Sequence, residues 1–341
     1  MTDNVFDAAY GLRARKNAAA WHVFIVLISI ATVLPILIAP YTQHVMSDEY
    51  SALRVIVVLN FVGANFHVAS TGWFYIDPEM RSHFRAHPLR YFVAPALLII
   101  GSAAAFQLVP SARGYLLAVF FSWQLWHYQK QNVGLLSFVA AGTVSGPSSI
   151  WERRTLMTAA VAGILGFFSL NKIGLSALSP EFVRLHQIGG LLYLTVPVLL
   201  AVAVMKVPAL RTNRLRLAYL ILGASFFLPT FLFDDQISAT MGYAIAHGLQ
   251  YLVFMGVVGI GKRPAFASLA MLAGISTLGA LLLNAAVIAP DNTNLPYGYA
   301  IYGAFVGIVM THFVLDAGIW RLRERFQRGY MREKFSFVFD R

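Results

Sequence analysis

The chain contains no cysteine among its 341 residues, which excludes disulfides, thiolate metal ligands and iron–sulfur clusters and leaves nitrogen and oxygen as the only donors. Charge is almost as scarce. Only 12% of residues are charged, against 58% hydrophobic, and the mean hydropathy is +0.65, values far from those of ordinary soluble domains. No P-loop, dinucleotide fingerprint or HExxH zinc motif occurs. No stretch beyond about 20 residues is left over for a soluble domain once apolar runs of bilayer-crossing length are marked.

What is present is therefore a polytopic, all-α integral membrane helix bundle forming a single membrane domain over 1–341. About ten spans are expected, at 20–39, 51–75, 90–109, 114–138, 154–171, 182–205, 214–233, 237–260, 264–288 and 297–320. Breaker residues fall at the joints: Pro40, Asp77-Pro78, Pro88, Pro110, Ser145-Gly146-Pro147, Pro180, Asp234-Asp235, Pro264 and Pro290-Asp291-Asn292. Residues 1–16 carry Asp3, Asp7, Arg13, Arg15 and Lys16 without an apolar run and cleavage site, so the first span is expected to act as the insertion signal.

Lysine and arginine orient the bundle. An N-terminus placed inside puts 21 of the 26 cations on the inner side and leaves Arg54, Arg113, Lys172 and Arg184 outside, with Lys130 inside the fourth span. Both termini are thus expected in the cytoplasm. The +11 net charge reflects this asymmetry and attraction to anionic lipid, not nucleic-acid binding. The tail 321–341 mixes six cations up to Lys334 with Phe326, Tyr330 and Phe335, and is expected to lie as an interfacial helix on the inner leaflet.

Ionisable residues then divide the spans. Odd-numbered spans have apolar interiors with small residues and are expected on the outside of the bundle. Even-numbered spans carry His67, His127 with Lys130, His186, His247, and His312 with Asp316, and are expected to face one another. Counted from their outer ends, His67, His127, His247 and His312 differ in depth by roughly 9 Å at about 1.5 Å per residue, close enough to share a site. Separations of 60, 59, 61 and 65 residues from His67 to His312 follow from span-plus-loop length as readily as from a duplicated hairpin.

Four imidazoles at one level, with polar companions, point to a metal centre. A set of this kind suits Fe(II) first, with Zn or Cu as alternatives. The companions are Asn60 and Thr71 on the second span, Gln131 on the fourth, Gln250 and Tyr251 on the eighth and Asp316 on the tenth. Asn60, Thr71, Gln131 and Gln250 are candidates to support the ligands. Asp316 is expected to orient an imidazole or neutralise Lys130, and Lys130 and Tyr251 to contact a polar substrate group. Phe66, Trp123, Trp126 and Tyr128 could shape an apolar slot.

The expected function is an intramembrane metalloenzyme that oxidises a lipid-like or isoprenoid substrate, with membrane lipids and an apolar small molecule as partners and any redox partner left open. A bis-histidine haem electron-transfer protein is the alternative, and a proton-coupled transporter the second. His186 is expected near an entrance, and His22 and His44 in structural roles. The segment from Asp77 and Glu79 to His83 and His87 sets two imidazoles on one helix face. It lacks the His-His pairs that membrane desaturases combine with such a box, and is expected to be a solvated loop ended by Pro88. Asp234-Asp235 is expected to cap a helix.

Overall fold

The computed structural model describes residues 2–41, 60–168, 181–233, 236–260, 264–292 and 295–339. His44, Asp234-Asp235 and the first nine residues of the expected second span lie outside them. Every regular element among the described residues is helical. Six stretches are long and apolar enough to cross a membrane: Lys16–Tyr41, Leu89–Leu108, Arg184–Lys206, Ala239–Gly259, Ala265–Val287 and Gly298–Ile319. These match the first, third, sixth, eighth, ninth and tenth expected spans, and give a multi-pass, membrane-type bundle.

The helices are α1 (Thr2–Ile38), α2 (Phe66–Ser70), α3 (Trp73–Ile76), α4 (Pro78–Ala86), α5 (Ala94–Leu108), α6 (Arg113–Gly142), α7 (Ile150–Phe167), α8 (Glu181–Tyr193), α9 (Val196–Lys206), α10 (Pro208–Thr212), α11 (Arg214–Ala224), α12 (Pro229–Leu232), α13 (Gln236–Gly259), α14 (Ala265–Val287), α15 (Gly298–Ile319), α16 (Arg325–Lys334) and α17 (Ser336–Phe339). A π-helical stretch, Asn60–Asn65, leads into α2. The expected seventh span is interrupted between α11 and α12, and the fourth is a 30-residue helix whose middle is the polar run Gln129-Lys130-Gln131-Asn132.

Small residues set the packing where backbones touch. Gly303 and Gly307, one turn apart on α15, sit so close to α5 that an added Cβ would lie 2.8 Å from Ala103 Cα and 2.9 Å from Ile99 N. This is the small-xxx-small contact by which membrane helices associate without a hydrophobic drive.

The division into outer odd and inner even spans holds at both ends of the chain and fails in the middle. Only 17% of the Leu89–Leu108 window is buried, whereas the windows in α13 and α15 are 56% buried. The fifth span, expected outside, is instead enclosed. In α7, Ala159, Ala160, Ala162, Gly163 and Gly166 are buried, because side chains this small let α8, α11 and Phe227 close in from several directions. The sixth span, expected inside, is peripheral, and its His186 makes a 2.9 Å hydrogen bond to Gly166 O.

The α6–α7 loop is held by a buried ion pair. Arg216 donates to Glu152 Oε1 and Oε2 at 2.8 Å each, to Pro147 O at 2.9 Å and to the Ser145 and Gly146 carbonyls. Ser149 and Glu152 form a reciprocal capping box at the start of α7. Burial alone would raise the Glu152 carboxyl, but the Arg216 hydrogen bonds and the Ser149 N–H hold it below the ordinary carboxylate value.

Two expectations about the basic end of the bundle change. The 77–87 segment is not a solvated loop: Asp77 accepts from the N–H groups of Glu79 and Met80 and caps α4, Pro78 occupies its first turn, and Met80 and Phe84 are fully buried. His83 stacks on Phe326 at 4.1 Å, 4° between planes. The tail is amphipathic, as its sequence implies, but its apolar side faces the protein. Tyr330, Met331, Phe335 and Val338 are buried, and Phe335 packs on Phe24, Phe138 and Phe254. Arg323, Arg325, Arg328 and Arg332 stay exposed. The tail closes the bundle's end like a plug.

Candidate metal centre

His67 on α2, His127 on α6, His247 on α13 and His312 on α15 meet in the interior. Their ring centroids form a closed circuit: 4.8 Å from His67 to His247, then 5.0 Å from His247 to His127, from His127 to His312 and from His312 to His67. All four are buried.

Local backbone explains why α2 and α13 come so close. Gly63 and Gly248 face each other, and a Cβ on Gly248 would lie 2.8 Å from the Gly63 carbonyl carbon and 3.1 Å from His67 Nδ1. Two glycines therefore let the segments that carry His67 and His247 meet backbone to backbone, Gly63 against Gly248 and Ile245. The segment carrying His67 is irregular, with π-helical turns before it and a Thr71-Gly72 break after it. Such irregularity concentrates at functional sites.

Hydrogen bonds fix which nitrogens point inward. His67 Nδ1 donates to Gly63 O at 2.7 Å, which leaves Nε2 with its lone pair. His312 Nδ1 lies 2.7 Å from Thr71 Oγ1, Thr71 Oγ1 lies 3.3 Å from the Tyr251 hydroxyl, and Tyr251 donates to Asp316 Oδ1 at 2.9 Å. One proton order satisfies this chain: His312 donates to Thr71, Thr71 to Tyr251 and Tyr251 to the carboxylate. It also frees His312 Nε2. Asp316 Oδ2 lies 3.8 Å from His127 Nε2 and 3.7 Å from His312 Nε2.

Five buried imidazole nitrogens of the cluster have no hydrogen-bond partner among the described residues: Nε2 of His67, His127 and His312, and both nitrogens of His247. Donor atoms of His67, His247 and His312 all lie within 4.8 Å of one another, as do those of His127, His312 and Asp316. The two groups share His312, and since donors on one ion with bonds of about 2.1 Å lie at most about 4.2 Å apart, an ion seated here would draw them slightly inward.

The two faces of the cluster differ. Thr71, Tyr251 and Asp316 form its polar side. The other side opens to a cavity of about 120 Å³ reaching from His67 past Tyr128 and Gln124 to Phe120, Tyr302, Val309 and Phe313. Its size approaches that of the roughly 150 Å³ apolar cavity known to hold benzene.

The supporting residues sort differently from expectation. Gln131 Nε2 donates to His247 O at 3.0 Å and to Gln250 Oε1 at 2.8 Å, and Gln250 Nε2 donates to Thr32 Oγ1 at 2.7 Å. These amides hold the His247 backbone and tie α6, α13 and α1 together; they do not touch an imidazole. Lys130 does not join the site. It is exposed, with Nζ over the Trp126 ring at 5.3 Å, so it neither contacts the cluster nor neutralises Asp316. Trp126 faces outward with it. Trp123 stacks edge-on to Phe313, Phe66 packs on Phe61, and of the four aromatics only Tyr128 lines the cavity. The Asn60 side chain lies outside the described residues.

Sequence reasoning missed Gly248, Thr32, Phe313 and Val309. Gly248 had a signal, a glycine directly after a buried histidine, whereas the others are ordinary apolar-run residues. Comparison with family models, with curated proteins and with solved structures finds no match.

Proposed function

We propose that this chain is a multi-pass membrane metalloenzyme of about ten spans, both termini cytoplasmic, in which His67, His127, His247 and His312 hold one metal ion, iron foremost. Its reaction is oxidation, with dioxygen as the oxidant, of a lipid-like or isoprenoid substrate whose apolar end enters the cavity beside His67. The observation that carries this reading is the set of five unpartnered ring nitrogens from four separate helices. Each buried polar atom left unsatisfied costs about 1–3 kcal/mol. Together they weigh as much as the roughly 5–15 kcal/mol that keeps an ordinary domain folded, so an empty cluster is a poor end state and a metal-filled one resolves it.

A bare ion fits better than haem. The imidazoles surround their common centre on four sides, where a haem held by two axial histidines needs that equatorial plane for its own nitrogens. Mostly aromatic and aliphatic walls, with neutral polar groups on Gln124, Tyr128 and Tyr302 and no carboxylate, Lys or Arg, suit a hydrocarbon chain more than a charged metabolite.

Elemental mass spectrometry on the purified protein tests the assignment. Wild type is expected to hold close to one metal per chain, and His67→Ala, His127→Ala, His247→Ala and His312→Ala each well below that, with no intense Soret band in any sample. His44→Ala and His83→Ala should match wild type. Equal metal content in all six variants rejects the proposal.

A further inference from the structure

Resting on that metal centre, we infer that Asp316 is itself a ligand, bonding the ion through Oδ2 as a fifth protein donor. A carboxylate that merely orients a ligand histidine accepts the N–H on the far side of the ring from the metal. Asp316 is not placed for that. The far-side nitrogen of His312 is already on Thr71 and that of His67 on Gly63 O. Oδ2 faces Nε2 of both His127 and His312, two buried nitrogens without a hydrogen-bond partner.

The spacing agrees. At 3.7 and 3.8 Å these pairs are too long for hydrogen bonds. They exceed by a few tenths the roughly 3.0–3.4 Å between neighbouring donors around an ion with bonds of about 2.1 Å. An ion seated between them needs only a small inward adjustment. Tyr251 meanwhile donates to Oδ1, and the Trp320 side chain also bonds the carboxylate.

Charge gives the reason. Four neutral imidazoles around a divalent ion leave two uncompensated charges inside a membrane-type bundle, which is costly. Asp316 is the one anionic group at the cluster, and no Lys or Arg among the described residues lies within ion-pair reach of it. Bonding the ion halves the net charge and gives the buried carboxylate its cation. Five protein donors then leave a single exchangeable position, toward the His67 side and its cavity, which admits one small ligand at a time.

Cobalt(II) is the probe, because its visible bands are weak in five- or six-coordinate sites and several-fold stronger in four-coordinate ones. Wild-type protein in detergent, loaded with Co(II), should give the weak spectrum. Asp316→Ala should retain Co(II) at lower affinity, show bands shifted from their wild-type positions, and return toward the wild-type spectrum on adding formate, a carboxylate small enough for the vacated space. An intense wild-type spectrum overturns the inference, and so does an Asp316→Ala spectrum identical to wild type. If Asp316→Ala fails to fold, Asp316→Asn, which keeps the side chain's shape and removes its charge, takes its place in the same comparison. Absence of any Co(II) binding by wild type is a different result: it removes the metal centre, and this inference with it.

Discussion

The ligand spacing rests on a backbone contact between two glycines, and Gly248→Ala is the substitution that probes it most directly. An added methyl would sit 2.8 Å from the Gly63 carbonyl carbon, where carbon atoms prefer roughly 3.5–4.0 Å. The obstacle is backbone, which cannot rotate aside as a side chain would. The α2 and α13 segments must therefore separate by roughly 1 Å, whereas a metal site tolerates donor displacements of only about 0.2 Å. Overpacking of this kind costs about 1–3 kcal/mol, and loss of donor placement is expected to lower metal affinity at least about tenfold, as loss of a ligand's outer support does. Gly256→Ala, on the same helix with nothing within 4 Å of the new methyl, is the control and should be neutral or stabilising by up to about 1 kcal/mol. Metal titration and thermal unfolding in one detergent compare the three proteins. Wild-type affinity and stability in Gly248→Ala would show that the helix contact does not set the distance between His67 and His247.

Glu152→Gln leaves the Arg216 guanidinium buried with its partner's charge removed, and should cost about 3–5 kcal/mol in thermal or denaturant unfolding. Because the folded Glu152 carboxyl lies below its ordinary value, its contribution is present above that value and fades as pH falls through the lowered one; an acid-unfolding curve should lose this step in Glu152→Gln. Val309→Phe fills the cavity beside His67 and is expected to keep full metal content while slowing nitric oxide uptake by the Fe(II)-loaded protein, read by stopped flow. His83→Ala removes the stack on Phe326 and should cost about 0.5–1.5 kcal/mol with metal content intact. Burial, His87 and Arg90 hold the His83 imidazole below its ordinary value, so the His83 contribution should weaken as pH drops below about 6.5.

The cluster itself was legible because ionisable residues inside apolar runs are rare enough to be informative, and a depth count needs only the rise of a helix. His67, His127, His247 and His312, with Thr71, Tyr251 and Asp316, stand together in the structure as that count implies. Lys130 defeats the same logic. It follows His127 by three residues, about 60° around the helix from it, and its long stem carries the charge outward onto Trp126. Gln131 and Gln250 lie on the predicted face, but periodicity says nothing about acceptors, and theirs turned out to be a backbone carbonyl and a threonine of α1. The middle of the chain was misread for a related reason. An apolar helix rich in Ala and Gly is equally at home facing lipid or wedged among neighbours, so composition could not tell that α7 is enclosed while α8 covers it.

The backbone around His67 is a feature that composition hides. Gly63, His67 and Thr71 recur every four residues and share the face turned to the cluster: the Gly63 carbonyl that fixes the His67 tautomer, the ring itself, and the Thr71 hydroxyl that fixes His312. The π-helical Asn60–Asn65 stretch leads into this face and a turn at Thr71-Gly72 ends it. Inside a bilayer such backbone survives only where protein surrounds it and supplies partners. Asn65, just before His67, finds one in Asn284 of α14 at 2.6 Å.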